Sequence, residues 1–146
     1  AEIKTGNPVT DVILTQKQKE AEEKGIDFRC KFMYPTDTGI NAFDVSVILN
    51  NAITNAFEGV NGCKNPYVSV SAYRKKNAYM LELTNCVCKS VEIDDETGVP
   101  ETTKKDKGSH GFGLANIRKV AQKYYGDIDI SQDENSFTLT VMLMVE

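Results

Sequence analysis

The sequence predicts an α+β domain, a two-layer sandwich with helices on one face of a sheet, and three observations support that. The elements legible along the chain run helix, strand, helix, two strands, helix, two strands. Apolar residues recur with helical period in some segments and alternate strictly in others. Finally, 146 residues with 40% hydrophobic and 26% charged residues suit one domain with a single core. Three helices and five strands in this order are best buried by laying the helices over a sheet.

Asn7-Pro8 starts the first helix, because proline tolerates the first helical position. Val12, Ile13 and Leu14 are followed by a polar stretch through Lys24, and Gly25 stands where a helix ends. Residues 26–34 read as a strand with Ile26, Phe28, Cys30, Phe32 and Tyr34 on one face. After a loop holding Pro35, Asp37 and Gly39, Asn41 caps a second helix, and Asp44 sits at its third position as in a capping box. This helix is expected to reach about Val60 and stop before Asn61-Gly62.

Strands over 67–74 and 78–86 flank a turn at Lys75-Lys76-Asn77. From Cys88 to His110 apolar residues are scarce, and Asp94-Asp95-Glu96, Gly98, Pro100 and Lys104-Lys105-Asp106-Lys107 intervene. A connection this long inside a compact domain reads as a lid, a binding loop or disorder. The third helix, over 113–125, places Leu114, Ile117, Val120, Ala121 and Tyr124 on one stripe and ends at Gly126. Strands over 127–131 and 136–145, with a turn at Asp133-Glu134-Asn135, complete the sheet.

The net charge of −4 argues against a nucleic-acid duplex or a membrane surface as partner, since both ask for a basic footprint. No apolar run approaches the roughly 20 residues that span a bilayer. There is no internal repeat and no second domain. The chain opens Ala1-Glu2-Ile3 without an initiator Met, so a longer parent with a membrane segment elsewhere is expected. Cys30, Cys63, Cys86 and Cys88 include no C-x-x-C spacing, and the chain has one His, so a zinc site is not expected. Cys86 and Cys88 are expected on one face of a strand, and all four cysteines as reduced structural thiols.

Two stretches carry candidate chemistry. In the second helix Asn51, Asn55 and Glu58 fall at i, i+4 and i+7 and share a stripe. Interior asparagine costs a helix roughly 0.5 kcal/mol per site relative to alanine. A helix that keeps several, while Ile48, Leu49, Ala52, Ile53 and Ala56 supply its apolar face, has a use for the amides. An amide oxygen is a hard neutral ligand suited to Mg²⁺. The second stretch is Lys107-Gly108-Ser109-His110-Gly111-Phe112-Gly113-Leu114, at the start of the third helix. Glycines admit a ligand close to the backbone, and a helix N-terminus offers free N–H groups to phosphate. Lys104, Lys105 and Lys107 can add charge. A Rossmann turn would need an apolar strand just before it, and a P-loop would need Gly-Lys-Ser/Thr; neither is present. Taken singly, the first stretch can be a solvated polar face and the second a flexible loop.

Taken together they are more specific. Asn51-Ala52-Ile53-Thr54-Asn55-Ala56 resembles the N box of the GHKL superfamily, and Gly111-Phe112-Gly113-Leu114-Ala115-Asn116 resembles its second glycine box. The resemblance spans nearly the whole chain. It implies the Bergerat ATP-binding fold, with a mixed sheet, as one domain over residues 1–146 with an ATP lid over about 88–110. Thr102-Thr103-Lys104-Lys105-Asp106-Lys107 followed by His110-Gly111-Phe112-Gly113-Leu114 is most similar to peptide-sensing Agr/Vir-type sensor histidine kinases. In that branch residues 1–24 resemble a first helix linking dimerising helices to the catalytic domain.

The resemblance implies ATP and Mg²⁺ as ligands. Asn55 would hold the metal, with Asn51 near the phosphates; His110, Gly111 and Gly113 would cradle phosphates beside the lid, and Lys107, Gly108, Phe112 and Leu114 would also bind the nucleotide. Most of the family has Asp-x-Gly-x-Gly after the second central strand, its Asp receiving the adenine amino group. Here Leu83-Thr84-Asn85-Cys86-Val87 stands there, and the Asn85 carbonyl can accept the same bond without the glycines.

Where hydrolysing members resemble one another in a water-activating Glu, this chain has Asn51, which is no base at neutral pH. The implied activity is therefore histidine protein kinase with slow hydrolysis. The γ-phosphate would pass to a histidine on separate dimerisation helices, and a response regulator would act downstream. The fragment is expected to be monomeric, without nucleic acid, and to be the cytoplasmic part of a membrane receptor. The alternatives are a degenerate nucleotide-dependent interaction module and an anti-sigma-type serine kinase.

Overall fold

A computed structural model describes residues 2–88 and 110–145. In chain order these form α1 (Pro8–Lys24), β1 (Asp27–Lys31), α2 (Ala42–Gly59), β2 (Tyr67–Lys75), β3 (Ala78–Cys86), α3 (His110–Lys123), β4 (Asp127–Gln132) and β5 (Ser136–Met144). The strands make one mixed sheet in the order β1-β2-β3-β5-β4, in which β1 and β2 are parallel and the other pairs antiparallel. Two parallel neighbours need a crossover, and α2 provides it. It lies over the sheet with α1 on one flank and α3 on the other. The expected α+β sandwich with helices on one face is thus the architecture found.

Local chemistry explains most of the boundaries. Asn7 caps α1, its Oδ1 accepting from the Val9 N–H at 2.8 Å, and Pro8 takes the first helical position. Gly25 ends the helix at φ 71°, while Ile26 N–H reaches back to Ala21 O at 2.8 Å in a Schellman closure. Leu14 and Ala21 are wholly buried, so α1 belongs to the core. α2 is amphipathic, and Val45, Ile48, Leu49, Ala52, Ile53, Ala56 and Phe57 face the sheet. They meet Val68, Val70, Leu81, Leu83, Leu139 and Val141, the inward residues of three alternating strands. On the opposite face the strands carry partly exposed serines and threonines, such as Thr84 and Thr138, whose hydroxyls pair at 2.9 Å.

Some boundaries differ from expectation. β1 stops at Lys31, because the chain then leaves the sheet and Tyr34 N–H bonds Thr5 O at 2.8 Å. Ile26, Phe28, Cys30, Phe32 and Tyr34 nevertheless alternate as the inward set. α3 starts at His110, a turn's length earlier than its apolar stripe indicates. Its left-handed terminal residue is Tyr125 at φ 60°, not Gly126. Gly126 is required for a different reason: a Cβ there would lie 1.7 Å from Met142 O. Cys88 lies beyond the end of β3, so it does not share a strand face with Cys86. No helix among the described residues is long and apolar enough to cross a membrane.

Candidate functional site

The expected capping box at the start of α2 forms in an extended version. Asn41 Oδ1 accepts from the Phe43 N–H at 2.7 Å, but the Asn41 N–H is taken by the Tyr124 hydroxyl at 3.0 Å. That hydroxyl in turn donates to Asp44, which Lys123 also reaches at 2.9 Å. Burial works against the Asp44 carboxylate, but the bonds from Tyr124 and Lys123 outweigh it and hold its pKa below the usual range. The C-terminal end of α3 is therefore tied to the N-terminal end of α2, which fixes the two helices side by side.

With the helices so placed, the asparagines of α2 meet glycine. Asn55 is half-buried and faces the first turn of α3, where a Cβ on Gly113 would lie 3.0 Å from its Nδ2 and 3.3 Å from its Oδ1. Only a residue without a side chain admits the amide at that distance. The Asn55 Nδ2 is buried and has no hydrogen-bond partner among the described residues, an exception to the rule that buried polar atoms are paired. One turn further, Gly59 meets Asn85 in the same way: a Cβ on Gly59 would lie 2.6 Å from the Asn85 Nδ2. Asn85 is 5% exposed, and its Nδ2 donates to Cys86 O at 2.9 Å. That bond fixes which end of the amide is which, and so presents the carbonyl oxygen as the remaining acceptor.

Asn51, Asn55 and Gly59 form an i, i+4, i+8 row, about 6 Å apart per step along the axis. Asn51 is half-buried and spends its Nδ2 on Val47 O at 2.8 Å, one turn back along its own helix. Glu58 is exposed. The structure thus joins Asn51 and Asn55 on α2 with Gly113 on α3 and Asn85 at the end of β3. The backbone of His110, Gly111 and Phe112 forms the first turn of α3. Leu114, expected beside a ligand, is 4% exposed and packs into the core, because it belongs to the inward stripe with Ile117 and Ala121. Lys107, Gly108 and most of the expected lid lie outside the described residues.

Gly59 was not anticipated from sequence. Its signal was a glycine in the closing turn of the expected helix, one residue before its end, where alanine is the better helix former and a glycine asks for a packing reason. Among the described residues no three His, Cys, Asp or Glu side chains cluster to hold a metal. The donors brought together are neutral amides. They suit a hard cation that keeps waters and phosphate oxygens for the rest of its shell, and the Asn55 amide, whose Nδ2 lacks a partner among the described residues, is one such group. A half-turn of that amide exchanges its nitrogen and oxygen with little change of shape.

Residues 40–144 match the family model described as the GHKL domain. No curated protein sequence gives a significant match. Among solved structures, the catalytic domain of the histidine kinase ThkA in a nucleotide-free form superposes with TM-score 0.73. The sequences are 16% identical, over 99% of this chain and 95% of that one. The Burkholderia phymatum histidine kinase gives TM-score 0.69 at 13% identity, covering 97% of this chain and 69% of that one. For the Acinetobacter baumannii histidine kinase AdeS the values are 0.65 and 14%, over 94% of this chain and 64% of that one.

Proposed function

The chain belongs to the GHKL domain family, and from that premise we propose that it binds ATP with Mg²⁺ between α2, the end of β3 and the start of α3. It would pass the γ-phosphate to a histidine on separate dimerisation helices of the same kinase, with a response regulator downstream. The observation that carries this reading is the Asn55–Gly113 contact, an amide whose buried Nδ2 has no partner among the described residues, set against the opening turn of a helix.

In this reading the Asn55 Oδ1 meets the metal, and the Asn51 Oδ1, left over from its bond to Val47, lies one turn nearer the start of α2. The N–H groups at the start of α3, beginning at His110, would receive phosphate oxygens, with Lys107 and Gly108 just before them in sequence. Asn85 accepts the adenine amino group through its carbonyl. Mg²⁺, when bound, neutralises phosphate charge. The chain's own contribution is to hold the reactants in line and to supply dipoles, since none of Asn51, Asn55 and Asn85 takes a proton at neutral pH. Water is therefore left unactivated and hydrolysis is slow. The chain acts as a monomer on the cytoplasmic side of a membrane receptor.

Calorimetric titration with a non-hydrolysable ATP analogue, with and without Mg²⁺, tests the reading. Binding that needs Mg²⁺ and is lost in Asn55→Ala supports it, and no binding at millimolar nucleotide overturns it. One observation favours a second reading, a nucleotide-dependent interaction module: Val87 stands where the family's first glycine follows its adenine-binding Asp. Nucleotide binding without transfer to any histidine-bearing helix would select that reading. Transfer to a serine on a partner would select the anti-sigma type of kinase.

A further inference from the structure

Three of the four thiols lie where the end of β3, just past Asn85, meets the loop after α2. Cys63 lies in the loop between α2 and β2, next to Gly62, against which the Cys88 sulfur packs, and the Cys86 and Cys88 thiols both bear on its titration. Cys86 ends β3, is 8% exposed, and its sulfur accepts the Tyr67 N–H at 3.3 Å. Cys88 is exposed, and its thiol donates to Asn61 O at 3.3 Å. The chain keeps one further sheet bond, from Val87 N–H to Asn135 O at 3.0 Å, and Cys88 then lies against the 61–63 loop. Gly62 makes room for it, since a Cβ there would come within 3.2 Å of the Cys88 sulfur. All four cysteines are free thiols in this state.

We propose that Cys63 and Cys88 form a peroxide-sensitive dithiol that closes to an intramolecular disulfide and staples the end of β3 to the loop after α2. Exposure selects the first reactant. Hydrogen peroxide reaches Cys88, whereas Cys86 is buried with its sulfur engaged by Tyr67. The Cys88 thiolate attacks one peroxide oxygen, so that an S–O bond forms as the O–O bond breaks. The displaced hydroxide takes a proton and leaves as water. The Cys63 sulfur then attacks the sulfenic sulfur of Cys88, the S–S bond forms, and the oxygen departs as a second water carrying the Cys63 proton. Two thiols lose two electrons in all, and one peroxide is reduced to two waters.

Burial, with the neighbouring Cys86 and Cys88 thiols, pushes the Cys63 thiol up to about 12. Cys63 is therefore a poor first target; its place beside Cys88 makes it the resolving thiol, and closure should accelerate as pH rises and its thiolate forms. The Cys88 sulfur already lies against Asn61 and Gly62, the two residues before Cys63, so the pair starts from neighbouring positions.

The test is to expose the purified 146-residue chain to hydrogen peroxide, alkylate the remaining thiols and map its peptides without reduction. The expected result is a fall from four reactive thiols to two, with a Cys63–Cys88 cross-linked peptide that dithiothreitol reverses. Cys86→Ser should retain the cross-link, and Cys63→Ser should stop at a Cys88 sulfenic acid that dimedone traps. Retention of all four thiols, a Cys63–Cys86 bond, or cross-links between chains only would overturn the proposal. The map reads covalent chemistry alone, so its outcome stands whether or not the chain binds nucleotide.

Discussion

Replacing Gly59 by alanine opposes two effects whose sizes can be worked out separately. In an ordinary helix interior the change stabilises by about 1 kcal/mol, because alanine loses less backbone entropy. At position 59 the new Cβ would fall 2.6 Å from the Asn85 Nδ2, inside any real contact distance, so the amide must turn away. Turning it breaks the 2.9 Å bond to Cys86 O in a buried setting. A buried acceptor left unpaired costs about 1–3 kcal/mol. Gly59→Ala is therefore expected to lie between neutral and about 2 kcal/mol destabilising. In an Asn85→Ala background the obstacle is gone, and the same substitution should stabilise by about 1 kcal/mol. Urea unfolding of the wild type, both single variants and the double variant measures the difference directly, as a coupling of about 1–3 kcal/mol. Calorimetry on the same proteins should show weaker nucleotide binding in Gly59→Ala if Asn85, which has moved, is the adenine acceptor proposed above. If Gly59→Ala stabilises equally in both backgrounds, the Gly59–Asn85 packing argument is wrong.

Asn55→Ala should abolish Mg²⁺-dependent nucleotide binding while moving the urea midpoint little, because the truncated Nδ2 has no hydrogen bond to lose. In Gly113→Ala the Asn55 amide must give by a few tenths of an ångström, so nucleotide affinity should fall in calorimetry without unfolding the chain. Tyr124→Phe removes the hydroxyl between Asn41 N–H and Asp44 and should cost about 1–2 kcal/mol in urea unfolding, an unchanged midpoint counting against the bridged cap. The folded-state pKa of Asp44 lies below its ordinary 3.8, so the stability it contributes is present above that pH and lost as pH falls through the folded value. Urea midpoints measured down through pH 4 should decline, and less steeply in Tyr124→Phe.

Much of the fold was legible because its signals are local. Asn7-Pro8 and Gly25 bracket α1 by cap chemistry that depends only on neighbouring residues. The alternation in β2 and β3 and the helical stripes of α2 and α3 fix each inward face by period alone. The candidate site was legible as residues but not as an arrangement. Asn51, Asn55 and Asn85 could be named, yet nothing in the chain order says which of them a glycine admits. Gly126 shows the same limit, since sequence takes it for a helix stop when the left-handed residue is Tyr125.

The sequence by itself determined the elements, their order, their buried faces and the amide-bearing row on α2, since each follows from interactions within a few residues. Only the tertiary structure decided that Gly113 seats Asn55, that Gly59 seats Asn85, that Tyr124 completes the cap of α2, and that Cys88 returns to the loop at Asn61 and Gly62. These contacts join residues far apart in the chain. Their distances are set by how whole helices and strands pack, and no local pattern records that geometry.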